Sequence, residues 1–153
     1  MKVVIHHASN RILEGTVSVL DRIAERVAPS TQAPHLKTGE RGELAAFFYL
    51  REHGYVIVAR RWHSSRRPGD IDLIGWDDTT LCFVEVKSRS SRDVATAEAA
   101  VDEHKQQTLC RLARQYLRLL PQQPDVRFDV LSVYYEDEST PAFELIRNAF
   151  SWC

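Results

Sequence analysis

Gly69-Asp70-Ile71-Asp72-Leu73-Ile74-Gly75-Trp76-Asp77-Asp78-Thr79-Thr80-Leu81-Cys82-Phe83-Val84-Glu85-Val86-Lys87 is the stretch on which the reading of this chain turns. Two runs of β-branched and apolar residues flank a polar cluster, the pattern of an antiparallel hairpin. Pairing Trp76 with Leu81 across a four-residue turn sets Asp72 opposite Glu85 and Asp70 opposite Lys87. Side chains alternate along a strand, so this register predicts all four charged groups on one face. Directly opposed carboxylates destabilise a sheet, and a divalent cation is the natural compensation for Asp72 facing Glu85. The plainer reading is a solvent-facing hairpin with Lys87 paired to Asp70, worth about 0–1 kcal/mol. It leaves Asp72 against Glu85 without a cause.

Outward from the hairpin, Leu44-Ala45-Ala46-Phe47-Phe48-Tyr49-Leu50 predicts a strongly apolar helix that begins near Thr38 and stops at His53-Gly54. Tyr55–Arg60 follows as a buried strand. Helical spacing returns from about Ala95 to Leu120, with Leu109, Leu112, Ala113, Tyr116 and Leu117 on one face and Pro121 and Pro124 beyond it. Val126–Tyr135 reads as a long strand and Ala142–Ile146 as an optional edge strand. The order is α, β, β, β, α, β with an optional last β, which predicts an α/β domain with a central mixed sheet flanked by helices. Residues 1–37 read as an appendage: a short helix over Val17–Ala28, then the linker-like Pro29-Ser30-Thr31-Gln32-Ala33-Pro34. Residues 38–153 form the main domain.

A chain of 153 residues, 44% hydrophobic and 27% charged, can bury a real core without staples. No apolar run reaches the length of a membrane span and no secretory signal is apparent, so a cytoplasmic protein is expected. Cys82, Cys110 and Cys153 form no CxxC pattern, and the first two sit in apolar periodic contexts suited to small buried hydrophobes. The histidines form no HxH or HxxxH arrangement, so no zinc site is expected. No Gly-rich phosphate loop and no Ser-His-Asp order is visible.

A net charge of −1 gives no global electrostatic argument for nucleic acid. The local distribution is more informative. Arg60, Arg61, His63, Arg66 and Arg67 cluster without an acid among them, between the first two strands and next to the hairpin. Such groups suit phosphate contacts that position a strand without reading its sequence; a solvated charged loop fits them equally. Trp62 suits a core or dimer position. Further basic residues, Lys105 among them, lie on the second helix.

The element order, with Glu43 on the first helix and Asp72…Glu85-x-Lys87 on the hairpin, resembles the PD-(D/E)xK nuclease superfamily. The motifs Gly39-x-x-Gly42-Glu43-x-x-Ala46-x-x-Tyr49-Leu50, Gly69-Asp70-Ile71-Asp72-Leu73-Ile74, Phe83-Val84-Glu85-Val86-Lys87, Arg127-Phe128-Asp129-Val130 and Asn148-Ala149-Phe150 resemble the YraN-like bacterial family, related to archaeal Holliday-junction resolvases. Two motifs depart from that family, with Asp70 for its usual Glu and Arg60-Arg61-Trp62-His63 for Arg-Asn-Trp-Arg.

The resemblance covers about residues 38 to 150. It implies a restriction-endonuclease-like αβββαβ core and a Mg²⁺- or Mn²⁺-dependent endonuclease acting on DNA, including branched or structured forms. It further implies metal ligation by Asp72, Glu85 and the carbonyl of Val86, with Lys87 serving the attacking water and Glu43 assisting. Lys105 resembles a position that nuclease relatives place near DNA, and a homodimer is expected by analogy. On the residues alone, Glu43 is equally an acid favoured by a helix dipole. The rival expectation is a non-catalytic nucleic-acid-binding or partner-binding module that keeps the fold.

Overall fold

A computed structural model describes residues 34–89, 101–135 and 140–152. Apart from the first residues of the first helix, these belong to the compact unit Thr38–Cys153. The expected helix over Val17–Ala28 and most of the expected linker lie outside the described residues. The elements are α1 (Pro34–Glu52), β1 (Val56–Ser64), β2 (Arg67–Asp77), β3 (Thr80–Arg89), α2 (Glu103–Leu117), β4 (Asp125–Tyr134) and β5 (Ala142–Phe150).

The strands form one sheet in the order β1-β2-β3-β4-β5. Only β3 and β4 are parallel, which requires the crossover through α2; the other pairs are antiparallel. The sheet is therefore mixed, as expected. Alternation along β3 sorts the core into two layers. Leu81 and Phe83 pack with Leu109, Leu112 and Ala113 of α2, while Cys82 and Val84 pack with Ala46, Phe47 and Leu50 of α1. The two helices thus cover opposite faces. Cys82 and Cys110 are both buried, one in each layer.

Several boundaries differ from the sequence expectation, each for a local reason. Pro34, expected in the linker, starts α1, where its missing N–H costs nothing. The His53-Gly54 stop is a Schellman motif: Gly54 has φ 91, Tyr55 N–H bonds Leu50 C=O at 3.0 Å and Gly54 N–H bonds Arg51 C=O at 3.2 Å. The hairpin pairs Trp76 with Leu81 as expected, but Asp77 also pairs with Thr80. The turn is two residues, Asp78-Thr79, with Asp78 at φ 54, a conformation Asp tolerates better than most residues. β1 is an edge strand with Val56 and Val58 exposed, not a buried one, and it runs on to Ser64. Asp102 caps α2 by accepting Lys105 N–H at 2.8 Å, so Val101 and Asp102 precede the helix rather than continue it.

A saturated polar network closes the sheet at the β3–β4 start. Asp129 is 0% exposed. It accepts Arg127 Nε at 2.8 Å, Arg127 Nη2 at 3.0 Å, the Tyr55 hydroxyl at 3.3 Å and Asn148 N–H at 2.9 Å. Asn148 sits at φ 54 where β4–β5 pairing shifts register, so the carboxylate satisfies a donor that the irregular ladder leaves over. The Arg127-Phe128-Asp129-Val130 and Asn148-Ala149-Phe150 motifs thus meet as a structural clamp. Asp129→Ala should lower stability in urea by about 3–5 kcal/mol, as for a broken buried pair. Asp77→Ala, at the wetter edge of the same network, should cost about 1 kcal/mol or less. Equal losses from the two would contradict the clamp.

Candidate functional site

The β2–β3 ladder is regular from Asp77↔Thr80 to Leu73↔Val84. The register would next bring Ile71 to Val86, but Val86 N–H is taken at 2.7 Å by the Asp72 carboxylate, through Oδ2. The strands part there. Ile71 enters the same core layer as Ile74, so strict alternation fails between them. Asp72 is 8% exposed and Glu85 3%. Because N–H and C=O of one strand residue leave by the same edge, the Val86 carbonyl faces the same opening.

Two ammonium groups converge on Glu85. Lys87 Nζ lies 2.8 Å from Oε1 and Lys105 Nζ 3.0 Å from Oε2. The second contact is an ion pair rather than a well-directed hydrogen bond, for Glu85 Oε2 is buried without a hydrogen-bond partner among the described residues. Lys105 arrives because α2 follows β3, which sets its first turn at the carboxyl end of the strand. Lys87 is engaged by Glu85 and not by Asp70, contrary to the plain hairpin reading; Asp70 lies opposite His63 of β1. The one-face expectation therefore holds for Glu85 and Lys87 but not as a four-residue row.

Charge is out of balance here. Burial and then repulsion from Glu85 push the Asp72 carboxyl up to about 8, against the Val86 N–H and Lys105, which favour its ionised form; Glu43 adds to the repulsion. Burial alone would lower the Lys105 ammonium, but Glu85, with Asp72 and Asp70 behind it, outweighs burial and raises it above the usual lysine value.

Glu43 lies well inside α1, with no acid in that helix's first turn, so the helix-dipole reading is set aside. Its carboxylate is held by Arg61 Nε, and Arg61 also reaches Glu40 at 3.3 Å. Arg61 has φ 46, an uncommon conformation for a strand residue, which costs on the order of 1–3 kcal/mol. Gly42 admits this helix to the sheet: a Cβ there would stand 1.8 Å from Ser88 Oγ and 3.0 Å from Ser88 Cβ, next to Lys87.

The basic residues separate into two groups. Arg60 lies over the Phe47 ring at 5.2 Å and Arg61 is bound by Glu40 and Glu43, so both are tied to α1. His63, Arg66 and Arg67 remain exposed. They lie not in a loop but on the ends of β1 and β2 and the short turn between them. Trp62 packs edge-to-face on Tyr116 at 5.3 Å, against the α2 core layer. Sequence reasoning missed the direct pairing of Lys105 with Glu85. The crossover order was the available signal, since a helix that follows a strand begins at that strand's carboxyl end.

Residues 42–133 match the model of the uncharacterised protein family UPF0102. The chain belongs to this family. It is 46% identical over 130 residues to a UPF0102 protein of Koribacter versatilis, covering 84% of this chain and 90% of that one. A UPF0102 protein of Solibacter usitatus is 40% identical over 131 residues, covering 85% and 93%. One of Symbiobacterium thermophilum is 44% identical over 115 residues, covering 74% and 96%. None of these names states an activity. The UPF0102 match spans Glu43, Asp72, Glu85, Lys87 and Lys105 together. Among the described residues, no helix of this family member is long and apolar enough to cross a membrane.

The repulsion has a measurable sign. Burial and Glu85 push the Asp72 carboxyl up to about 8 in the fold, from an ordinary value of 3.8, so the folded state keeps a proton that the unfolded state releases over that interval. Stability from this group therefore falls as pH rises through it. In EDTA, Asp72→Asn should melt several degrees above the wild type at about pH 9 and level with it near pH 4. A variant that melts no higher at either pH would contradict the charge imbalance.

Proposed function

We propose that this protein is a metal-dependent endonuclease that hydrolyses phosphodiester bonds in DNA, branched or structured forms included. The observation that carries the reading is the pair Asp72 and Glu85, two buried carboxylates pressed together where β2 leaves β3, with two ammonium groups beside them. The resemblance to PD-(D/E)xK nucleases through Glu43, Asp72 and Glu85-x-Lys87 supports it.

The donor set fits Mg²⁺, which takes oxygen ligands, needs few carboxylates and keeps several waters; Mn²⁺ accepts the same donors. Among the described residues no three His, Cys, Asp or Glu side chains gather as a ligand cluster. An ion would rest on Asp72, Glu85 and the Val86 carbonyl, with water completing the shell. Two buried acids in excess of hydrogen-bond donors are what such an ion would satisfy. When bound, it would supply positive charge to the phosphate and acidify water.

The chain's own groups do the rest. Lys87, anchored on Glu85 as an ammonium, donates a hydrogen bond that holds the attacking water. Lys105 brings a second fixed positive charge to the oxygens that gain negative charge as phosphorus becomes five-coordinate. Asp72 is kept in position by Val86 N–H, and Glu43, gripped by Arg61, orients water at the edge of the site.

A second reading, a nucleic-acid-binding module without catalysis, draws on one observation: Lys87 and Lys105 already neutralise Glu85 without a metal. The two readings separate experimentally. Calorimetric titration with Mg²⁺ or Mn²⁺ should give binding to the wild type and none to Asp72→Ala. Cleavage of junction, flap and linear DNA should fall at least about a hundredfold in Glu85→Ala. Equal metal binding by wild type and Asp72→Ala, or none by either, removes the metal from the mechanism. Salt-dependent, metal-free DNA binding that survives Asp72→Ala, with no cleavage of any substrate, selects the second reading.

A further inference from the structure

Trp62, His63, Arg66 and Arg67, on the β1–β2 tip, face Gln115 and Arg118 of the α2 end across a cavity of about 850 Å³. We propose that this groove holds a single strand of nucleic acid, with the guanidinium groups of Arg66, Arg67 and Arg118 on its phosphates, and leads that strand to Asp72 and Glu85. The proposal rests on the endonuclease reading and adds to it a strand path and a strand type.

Charge is the first reason. Three guanidinium groups and an imidazole line the groove, and among the described residues no carboxylate does. Arg66, Arg67 and Arg118 make no ion pair among the described residues. Arg61 and Arg127, by contrast, are each held by two carboxylates. Planar guanidinium forks match phosphate oxygens in pairs, and clustered cations of one sign call for an anion between them.

Size and shape select the strand type. A groove of this volume falls in the range of about 300–1,000 Å³ that holds small ligands, enough for a nucleotide or two. Trp62 forms part of the wall and is held edge-to-face by Tyr116 at 5.3 Å. Basic grooves with aromatic walls take single strands with little regard for sequence.

Continuity joins the groove to the site. His63, in the groove wall, pairs with Asp70 across the β1–β2 ladder, and Asp70 and Asp72 lie on the same strand, β2. The path from the groove to the carboxylates therefore runs along β2. The groove's walls are joined by a close contact: Gly69, at φ 96, has its Cβ position 3.0 Å from Thr108 Cγ2 and 3.6 Å from Leu112 Cδ1. Only glycine combines that backbone angle with that approach, and it seats the hairpin directly on α2.

The test is fluorescence anisotropy of the full chain in EDTA with a labelled oligothymidylate of about 15 nucleotides, and with a duplex of equal length, across a salt series. The wild type should prefer the single strand. The triple variant Arg66→Ala, Arg67→Ala, Arg118→Ala should bind it at least tenfold more weakly. Its salt slope should be shallower by about 2, from three lost phosphate contacts at about 0.7 each. Arg118→Glu alone, at an exposed helix end, should weaken binding several-fold and covers the case in which the triple variant misfolds.

Unchanged affinity and slope in the triple variant and in Arg118→Glu would overturn the groove, as would a preference for the duplex or no binding by the wild type. These outcomes are separate from the fate of the endonuclease reading. Groove binding without metal-dependent cleavage removes that reading alone, and cleavage unaffected by the arginine variants removes the groove alone.

Discussion

The Asp72 carboxylate standing between two strands is the interaction on which the rest of this account depends. A ladder bond that β2 and β3 would otherwise share is surrendered, and the side chain supplies the acceptor instead, 2.7 Å from Val86 N–H. One oxygen of the carboxylate is thereby committed. The carboxylate as a whole meets burial and the repulsion of Glu85, which together disfavour its ionisation. A fold optimised for stability alone would place apolar groups here, since buried charges that are incompletely compensated cost more than well-packed hydrophobes.

The contrast with Asp129 separates structure from chemistry. Both carboxylates are buried and both lie on central strands. Asp129 accepts four hydrogen bonds from Arg127, Tyr55 and Asn148, which account for its lone pairs and hold β4 against the irregular part of β5. Among the described residues Asp72 accepts one, and Glu85 leaves Oε2 without a directed donor. A saturated network is a clamp. An unsaturated pair of acids flanked by two ammonium groups has a charge to offer a ligand. Arg61 belongs to the second kind of site through its uncommon backbone angle, which turns it toward Glu43 on α1.

Much of this was legible in the residues. Period-two runs around Asp77–Thr80 gave the hairpin and its Trp76–Leu81 register, and the element order was readable because each helix has a distinct apolar stripe. What was not legible follows from tertiary contacts. Alternation alone predicts one row of four charges, yet the Asp72–Val86 contact ends the ladder before Asp70 and Lys87 can meet. The run from Arg60 to Arg67 lacks apolar alternation and so reads as a loop, whereas pairing between the strands extends β1 to Ser64 and starts β2 at Arg67. Tyr55–Arg60 reads as buried because its residues are apolar, but only its position at the sheet edge decides exposure. No local pattern marks Gln115 or Arg118 as neighbours of the β1–β2 tip, since they are brought there by the crossover helix.

The central claim is that Asp72 and Glu85 share one ion. The most direct measurement is a crystal structure grown with Mn²⁺, read by its anomalous signal. The account predicts a single peak bonded to a carboxylate oxygen of each residue and to the Val86 carbonyl, with at least one of Lys87 and Lys105 drawn away from Glu85. A map with no peak there, and both ammonium groups still seated on Glu85 at saturating Mn²⁺, would contradict it.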